Sequence, residues 1–396
     1  MQIEILAIGT RNTIWDDLLF SIRNLKSKMT MERIDILLAK KEKKTWERVL
    51  LSPLHLLSLP YGVGVRLRTL LFGLGLLRSK RLPCPVISVG NLTAGGTGKT
   101  PLVMWIAKVL AEKGVPVAIL TRGYKRKKAS GPLLSDGKSV FLSQEESGDE
   151  PYLMAQLLRQ IPILVGKDRF RNGQLALAKF GVRAVVLDDG FQHLPLRRDL
   201  DIVLIDASLG FGDGHLLPRG ILREPLSHLR RAHLFLLTKV EDRKACKPLE
   251  TQLQNIHPVP IFHSHFEPVG FVGPQGEEDL RVLQEKRMIA LSGVGNPGYF
   301  SSLLNKIGIN VIREIIYPDH HVYTAKDVTS LAVHMKEADG IVTTEKDMVK
   351  LEGLEIARLP VWALRIRFKI WEEEEFLKTI LRIFSEDRVG GIEIQK

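Results

Sequence analysis

Short apolar runs and amphipathic segments alternate along the chain from residue 85 onwards. The apolar runs PVISVG, PVAILTRG, IPILVG, VRAVVLDDG, DIVLIDA and LFLLTKV have the length and composition of buried strands. Between them, PLVMWIAKVLAEKG has helical periodicity and ends at Gly114, and QLALAKFG forms another helical segment. Strands that alternate with helices predict an α/β fold with a mostly parallel sheet flanked by helices. The ligand site of such a sheet is expected at the carboxyl ends of its strands.

The alternation is interrupted once. Residues 245–285 are polar and contain scattered Pro and Gly, which predicts a linker or hairpin region. After it, the runs RMIALSGV, INVIREIIY, GIVTTEKD and LPVWALRIRF alternate with the helical segments PGYFSSLLNKIG and AKDVTSLAVHMKEA. We therefore expect a core domain over residues 85–244 and a second, smaller α/β domain over residues 286–384.

The residues before the first predicted strand have a different pattern. Val49–Val65 contains no charged residue, but it is shorter than the roughly 20 apolar residues of a spanning helix and includes two prolines. Residues 61–78 then place apolar side chains at helical spacing with basic residues beside them. Residues 49–84 are thus predicted to form an amphipathic helical segment, which either lies in a membrane interface or packs on the next domain. Residues 1–48 form an N-terminal extension with no signal-peptide pattern and no assigned role. The apolar positions of the helical stripe are Val63, Leu67, Leu70, Leu71, Leu74 and Leu77.

Composition limits the class of protein. The 396 residues are 44% hydrophobic and 26% charged, which is typical of a globular chain. The net charge of +12 favours an anionic partner such as a nucleotide, a nucleic acid or an anionic membrane. Nucleic acid is disfavoured, because no recognition module is present and the aromatic residues are not interleaved with the basic runs. Two cysteines without metal-ligand spacing indicate a reducing compartment.

The segment TAGGTGKT has most of a phosphate-binding loop. A strand precedes it and a helix follows it, so glycine-rich backbone N–H groups and a helix N-terminus would face the phosphates. Lys99 would reach the β- and γ-phosphates of a nucleotide, and Thr100 would bind Mg²⁺. The first position, a glycine in the usual pattern, is Thr93, so the backbone at the start of the loop must differ. The predicted nucleotide-binding residues are Thr93, Ala94, Gly95, Gly96, Thr97, Gly98, Lys99 and Thr100.

Acidic residues follow two other predicted elements. Asp188 and Asp189 end an apolar strand, where a carboxylate holds Mg²⁺ directly or through water in phosphate-loop proteins. Asp149 of GDEP lies at a predicted helix start, where it could cap the helix or act as a base near the phosphates. The run YPDHH places His320 beside a carboxylate after a strand, which suits a proton acceptor near neutral pH, whereas the spacing disfavours zinc.

Several arginines are candidates for phosphate contacts, because the planar guanidinium binds phosphate through two hydrogen bonds. The alternative for each is a solvated surface position. The candidates are Arg122, Arg169, Arg219 and Arg223.

Taken in order along residues 50–370, these motifs resemble the tetraacyldisaccharide 4'-kinase family of lipid A biosynthesis. The segments that carry the resemblance are SVGNLTAGGTGKTP, RGY, GDEP, LDDGFQH, PRGILREP, GVGNP, YPDHH and TEKD. The resemblance implies transfer of the γ-phosphate of ATP to the 4'-hydroxyl of a tetraacylated glucosamine disaccharide 1-phosphate. It also implies a fold like that of P-loop NTPases, Mg²⁺, and work at the cytoplasmic face of the bacterial inner membrane. The family loop carries Ser or Thr at the position of Thr93.

The resemblance also implies roles for individual residues. Asp149 and His320 match the catalytic pair, in which the Asp helps the His to take the proton from the sugar hydroxyl. Lys99 and Thr100 match the loop lysine and the Mg²⁺ ligand. The remaining matches are Asp188, Asp189 and Gln192 for metal and catalytic geometry, and Arg122 and Arg169 near the phosphates.

For the segment 49–84, the resemblance favours the interfacial helix, since the substrate is a lipid. It implies a peripheral protein that binds a lipid and a membrane surface, and no feature of the sequence indicates an obligatory protein partner. The main alternative is a membrane-associated P-loop ATPase switch. Such proteins carry a signature lysine before the two glycines, and that position is Ala94 here.

Overall fold

One mixed sheet of thirteen strands extends through the described part of the chain. The strand order is β11-β10-β12-β13-β8-β7-β6-β1-β5-β2-β4-β3, and β9 pairs with β8. The computed structural model describes residues 37–38, 42–124, 126, 130–319, 321–351, 354 and 359–384. The strands are β1 Val86–Asn91, β2 Val117–Thr121, β3 Leu133–Ser135, β4 Ile163–Val165, β5 Ala184–Asp188, β6 Leu200–Asp206, β7 Leu234–Thr238, β8 Ile261–Gly273, β9 Gly276–Glu278, β10 Arg287–Ser292, β11 Asn310–Ile316, β12 Gly340–Thr344 and β13 Val361–Ile370.

Helices cover both faces of the sheet, as the alternating pattern predicts. The apolar runs identified in the sequence correspond to strands, and β1, β2, β5, β6 and β7 are buried over their whole length. Strands buried on both faces read as continuous apolar runs, so the parallel sheet follows from the sequence. The α-helices are α1 Thr45–Leu50, α2 Ser52–Gly73, α3 Lys99–Glu112, α4 Gln144–Ser147, α5 Asp149–Leu157, α6 Arg169–Phe180, α7 Lys247–Ile256, α8 Pro297–Lys306, α9 Ala325–His334, α10 Glu345–Leu351 and α11 Glu373–Leu381.

The region expected as a linker or hairpin contains the strand that joins the two halves of the sheet. The first residues of β8, Ile261–His263, pair in parallel with β7, and Ser264–Val272 pair antiparallel with β13. The hairpin from β8 to β9 closes between Gly273 and Gly276. The sequence analysis did not predict this strand, because it contains polar residues and Pro268. A strand with a register shift needs neither strict alternation nor a continuous apolar run.

Helix α11 returns from the C-terminal half to the core. Phe376 is fully buried in the same cluster as residues of β1, β5 and α3. Its ring centroid lies 5.7 Å from that of Trp105 on α3 and 5.1 Å from that of Phe262 on β8. The helix that carries the phosphate-binding loop is therefore packed against both halves of the molecule.

Helix α2 differs from its predicted bounds. It begins at Ser52 rather than at residue 61, continues through Pro60, and ends at Gly73, so Leu74 and Leu77 lie beyond it. A proline inside a helix removes one backbone hydrogen bond, which is why the sequence pattern appeared broken at that point.

One side of α2 contacts the core and the other faces outward. Tyr61 donates to the carbonyl of Arg223 at 2.8 Å, and Arg68 donates to the carbonyl of Gln192 at 3.2 Å. Within the described residues, no helix combines the length and apolar character needed to cross a membrane. Apolar side chains of α2 that are more than half exposed are Leu56, Leu57, Leu59, Val63, Leu67 and Leu70.

The substitution Phe376→Ala is expected to destabilise the fold by about 3–5 kcal/mol, because it removes a buried ring from the core and leaves a cavity. Chemical denaturation followed by circular dichroism measures the change. Phe141→Ala is the matched control, since Phe141 is 54% exposed. Equal losses for the two variants would contradict the packing role of α11.

Candidate active site

The phosphate-binding loop connects β1 to α3 and turns on two glycines with positive φ. Gly95 has φ 115° and Gly98 has φ 85°, values that a side chain would strain. Thr93 is buried and pairs with Leu222 in an isolated bridge, and the N–H of Ala94 donates to the carbonyl of Ile221 at 2.7 Å. The start of the loop is thus held as an extended segment against residues 221–222. Thr93 does not need the left-handed conformation that favours glycine at the first position.

Lys99 lies in a network of polar groups under the loop. Its Nζ donates to Asn91 Oδ1 at 3.1 Å and lies 3.5 Å from Asp189 Oδ1. Asn91 also donates to the carbonyl of Thr93 at 2.7 Å, and Gln192 Nε2 donates to the carbonyl of Asn91 at 2.9 Å. Gln192 therefore supports the loop through Asn91. The sequence analysis missed Asn91, although it is the last residue of an apolar strand directly before the glycine loop.

Asp188 and Asp189 are adjacent but have different environments. Asp188 Oδ2 accepts from Thr121 Oγ1 at 3.0 Å, whereas its buried Oδ1 has no hydrogen-bond partner among the described residues. Burial, with further contributions from the charges of Glu150 and Asp189, raises the pKa of Asp188 to about 7. Burial also opposes ionisation of Asp189, but Lys99 and Arg223 outweigh it and hold its pKa below the ordinary value.

Helix α5 brings the GDEP motif to the loop. Asp149 is the first residue of α5, and its Oδ1 accepts from Gln144 Nε2 at 3.2 Å. The capping interpretation of Asp149 is wrong, because Gly148 holds the N-cap position and the helix start has no side-chain cap bond. The next residue, Glu150, accepts from Thr100 Oγ1 at 3.3 Å. The sequence analysis gave Glu150 no role.

The end of β7 supports the loop from the other side. Lys239 Nζ donates to the carbonyl of Gly96 at 2.8 Å and pairs with Asp206 Oδ2 at 2.5 Å. Thr238 Oγ1 donates to the carbonyl of Thr97 at 2.9 Å. The sequence analysis did not use the Thr-Lys pair at the end of this buried strand, which was the available signal for these residues.

Residues of the C-terminal half also lie at the phosphate-binding loop. Asn296 Nδ2 donates to Asp206 Oδ2 at 3.2 Å. A Cβ atom built on Gly295 would lie 2.6 Å from the backbone nitrogen of Gly96, so glycine permits this close approach to the loop. Lys346 pairs with Glu150 at 3.1 Å and with Asp319 at 3.2 Å. Gly295 and Asn296 lie in the GVGNP motif and Lys346 in the TEKD motif, and the sequence analysis assigned these three residues no function. Asp319 is the carboxylate beside His320 in the YPDHH motif.

The remaining predicted residues are four arginines and His320. Arg122 is exposed and Arg169 is buried, and both line the cavity at the loop. Arg223 forms two hydrogen bonds with Asp189, at 2.9 Å and 3.1 Å. Arg219 instead pairs with Asp213 at 2.8 Å and lines a separate, smaller cavity. His320 lies outside the described residues.

One cavity of about 2020 Å³ contains most of the candidate residues of the site. Its lining includes the phosphate-binding loop, Asp149, Asp188 and Asp189, and it extends to residues of α2. No cluster of three or more His, Cys, Asp or Glu side chains with the geometry of a metal site occurs in the described part of the chain. The α2 residues on the lining are Tyr61, Val65 and Arg68.

Comparison with known proteins decides the family. The family model described as tetraacyldisaccharide-1-P 4'-kinase matches residues 48–385. The chain belongs to the tetraacyldisaccharide 4'-kinase family. It is an enzyme, and the family places it among the kinases of lipid A biosynthesis.

Individual relatives agree with this assignment. The tetraacyldisaccharide 4'-kinase of Syntrophus aciditrophicus is 40% identical over 347 residues, which cover 84% of this chain and 93% of the relative. The enzyme of Aquifex aeolicus is 40% identical over 340 residues, covering 85% of this chain and all of the relative. A crystal structure of the Aquifex aeolicus protein in complex with ATP aligns with a TM-score of 0.65 and 37% identity, over 85% of this chain and 99% of that one.

The raised pKa of Asp188 in this kinase predicts a pH-dependent stability. The folded state binds the proton of Asp188 more tightly than the unfolded state does. The stability that this proton contributes is therefore fully present below the unfolded pKa near 3.8 and is lost as the pH rises to about 7. The free energy of unfolding, measured without nucleotide or Mg²⁺, should therefore fall more steeply with pH in the wild type than in Asp188→Asn. The difference in slope is at most about 1.4 kcal/mol per pH unit. Exposed Asp242→Asn should keep the wild-type slope, and a wild-type slope in Asp188→Asn would contradict the prediction.

Proposed function

We propose that the chain transfers the γ-phosphoryl group of ATP to the 4'-hydroxyl of a tetraacylated glucosamine disaccharide 1-phosphate at the cytoplasmic face of the bacterial inner membrane. The observation that carries this proposal is the continuous cavity, which links the phosphate-binding loop to the α2 residues Tyr61, Val65 and Arg68. A soluble nucleotide and the sugar of a lipid can meet there while the acyl chains extend towards the exposed apolar side of α2.

The nucleotide is ATP, held by residues 93–100 with Lys99 at the β- and γ-phosphates. ATP is the ligand of the related Aquifex aeolicus structure. Lys99 and Arg223 both pair with Asp189, so this carboxylate helps to orient the ammonium group of Lys99 at the phosphate site. Arg122 and Arg169 on the cavity lining supply further positive charge for the phosphates.

The residues at the end of β5 fit a Mg²⁺ ion. The buried Oδ1 of Asp188 has no partner among the described residues, and such an acceptor costs free energy unless a cation or a donor reaches it. Mg²⁺ is usually held by one or two carboxylates together with substrate phosphates. Thr100 and Asp188 would bind the ion, with Asp189 beside them. When bound, Mg²⁺ neutralises negative charge that develops on the transferring phosphoryl group.

Proton removal is assigned to the pair Asp149 and His320. A His takes the proton of the 4'-hydroxyl as the oxygen bonds to the γ-phosphorus and ADP leaves, and a carboxylate holds the imidazole in the correct tautomer. Asp149 lines the cavity, and Asp319, the residue before His320, reaches Lys346 beside α5. These positions support the pairing of the two motifs.

The wild-type enzyme, given labelled ATP, Mg²⁺ and the lipid disaccharide in detergent micelles, should form the 4'-phosphorylated lipid. Asp149→Ala and His320→Ala should each lower kcat by about 10²-fold or more, because general base catalysis is lost. ATP affinity, measured by calorimetry, should stay near that of the wild type. Asp242→Ala and His334→Ala are controls of the same residue types away from the cavity.

Two results would contradict the proposal in separable ways. Absence of any phosphorylated lipid from a wild-type enzyme that binds ATP would reject the acceptor. Turnover near the wild-type value in both Asp149→Ala and His320→Ala would reject the base assignment and leave the acceptor standing.

Membrane association is assigned to the outward side of α2. Leu67 and Leu70 are more than half exposed, and the exposed Arg66 lies beside them, which is typical of a helix in an anionic membrane interface. The protein is then peripheral, and the lipid acceptor is reached from the surface of the bilayer.

Leu67→Glu and Leu70→Glu should each weaken binding to vesicles of phosphatidylethanolamine and phosphatidylglycerol by roughly tenfold or more, since a leucine side chain contributes about 1.5–3 kcal/mol when buried. Co-sedimentation at several lipid concentrations measures the partition constant. Val333→Glu, in an exposed position of α9, should bind like the wild type. Equal binding by the wild type and both α2 variants would exclude this surface as the membrane contact.

A further inference from the structure

Lys346 connects two segments that are far apart in the sequence. It lies in the first turn of α10, in the C-terminal half, and its Nζ is 3.1 Å from Glu150 Oε1 on α5. The same Nζ is 3.2 Å from Asp319 Oδ1, in the loop that follows β11. A single ammonium group therefore joins the core to the loop that carries the DHH sequence.

The charges of this cluster favour a persistent contact. Burial alone would lower the pKa of Lys346, but the carboxylates of Glu150 and Asp319 outweigh burial and raise it. The ammonium group is therefore charged at neutral pH and is shared by two acceptors. Removing it would leave two carboxylates facing each other, and like charges at short range repel.

The segment that presents Lys346 is fixed by its neighbour. Asp347 is fully buried, and its Oδ2 accepts from the N–H of Gly293 at 2.9 Å and from Thr344 Oγ1 at 2.9 Å. Lys350 pairs with its Oδ1 at 3.2 Å. These contacts within the C-terminal half hold the turn that presents Lys346.

Each partner of Lys346 is the sequence neighbour of a proposed catalytic residue. Glu150 follows Asp149, and Asp319 precedes His320. The second carboxylate oxygen of Glu150 accepts from Thr100 Oγ1 at 3.3 Å, which extends the connection to the phosphate-binding loop. A displacement of Lys346 would therefore move the two segments of the catalytic pair relative to each other.

We infer that Lys346 is a positioning residue for phosphoryl transfer, which holds Asp319 against Glu150 of α5 and so keeps together the two segments that carry the proposed catalytic pair. This inference rests on the proposed roles of Asp149 and His320. Lys346 itself does not contact the transferring group in this account. Its contribution therefore belongs to kcat and not to nucleotide binding.

The first test compares Lys346→Met, which keeps the length of the side chain and removes the charge, with Lys346→Arg, which keeps the charge. Lys346→Met should lower kcat by about 10–100-fold, because small displacements of reacting groups cost rates of this size. Lys346→Arg should recover a large part of that loss. The Kd for ATP should stay near wild type. The midpoint of thermal unfolding should fall in Lys346→Met, because Glu150 and Asp319 lose their shared cation, so turnover is measured well below that midpoint. Lys326→Met, on the exposed side of α9, is the control.

The second test is a double-mutant cycle with His320→Ala. If Lys346 acts by positioning His320, Lys346→Met should cost less than about twofold once His320 is absent. Losses that multiply would overturn the inference, as would unchanged kcat in Lys346→Met alone or a loss confined to ATP affinity. Wild-type turnover in His320→Ala would instead reject His320 as the proposed base. The inference that Lys346 positions this base would then fail too, whatever the effects of the single Lys346 variants.

Discussion

The architecture depends on the pairing of β8 with strands from both halves of the chain. Its first residues extend the parallel sheet of the core beside β7, and the rest of the strand pairs antiparallel with β13. This pairing joins the strands of both halves into one sheet. Because α11 then returns onto α3 through Phe376, the geometry is fixed on the opposite face as well. The cavity lies between these two connections.

The site shows how the protein's own buried charges are arranged around the phosphate-binding loop. Asp189 has two cationic partners, Lys99 and Arg223, whereas among the described residues Asp188 has a hydroxyl and no cation as a hydrogen-bond partner. The same dipeptide therefore contains one carboxylate that orients the loop lysine and one that retains an acceptor for a cation. Lys239 makes a similar arrangement on the other side, where it joins Asp206 to the backbone of the loop.

Much of the fold could be predicted from the sequence, since strands buried on both faces must be apolar along their whole length. The same reasoning failed for β8, whose backbone pairs first with β7 and then with β13 although the strand contains polar residues, and for α2, where Pro60 lies inside the helix. At the site, residues 94–100 and the two aspartates at the end of β5 line the cavity, and the roles that the sequence predicts for them stay predictions. Asn91, Lys239 and Lys346 were missed, because a single Asn or Lys has no local signature of its role.

What the sequence determined by itself was the parallel core, the phosphate-binding loop and the family, because these depend on local spacing and on motifs in a fixed order. The tertiary structure decided which charges meet. Glu150, Asp319 and Lys346 come together only when β8 and α11 join the two halves, since ion pairs between distant segments follow from the chain path and not from composition. The tertiary structure also explains why Thr93 can stand where the usual loop has a glycine. Only the bridge to Leu222 shows that the loop begins as an extended segment in which a side chain is accepted.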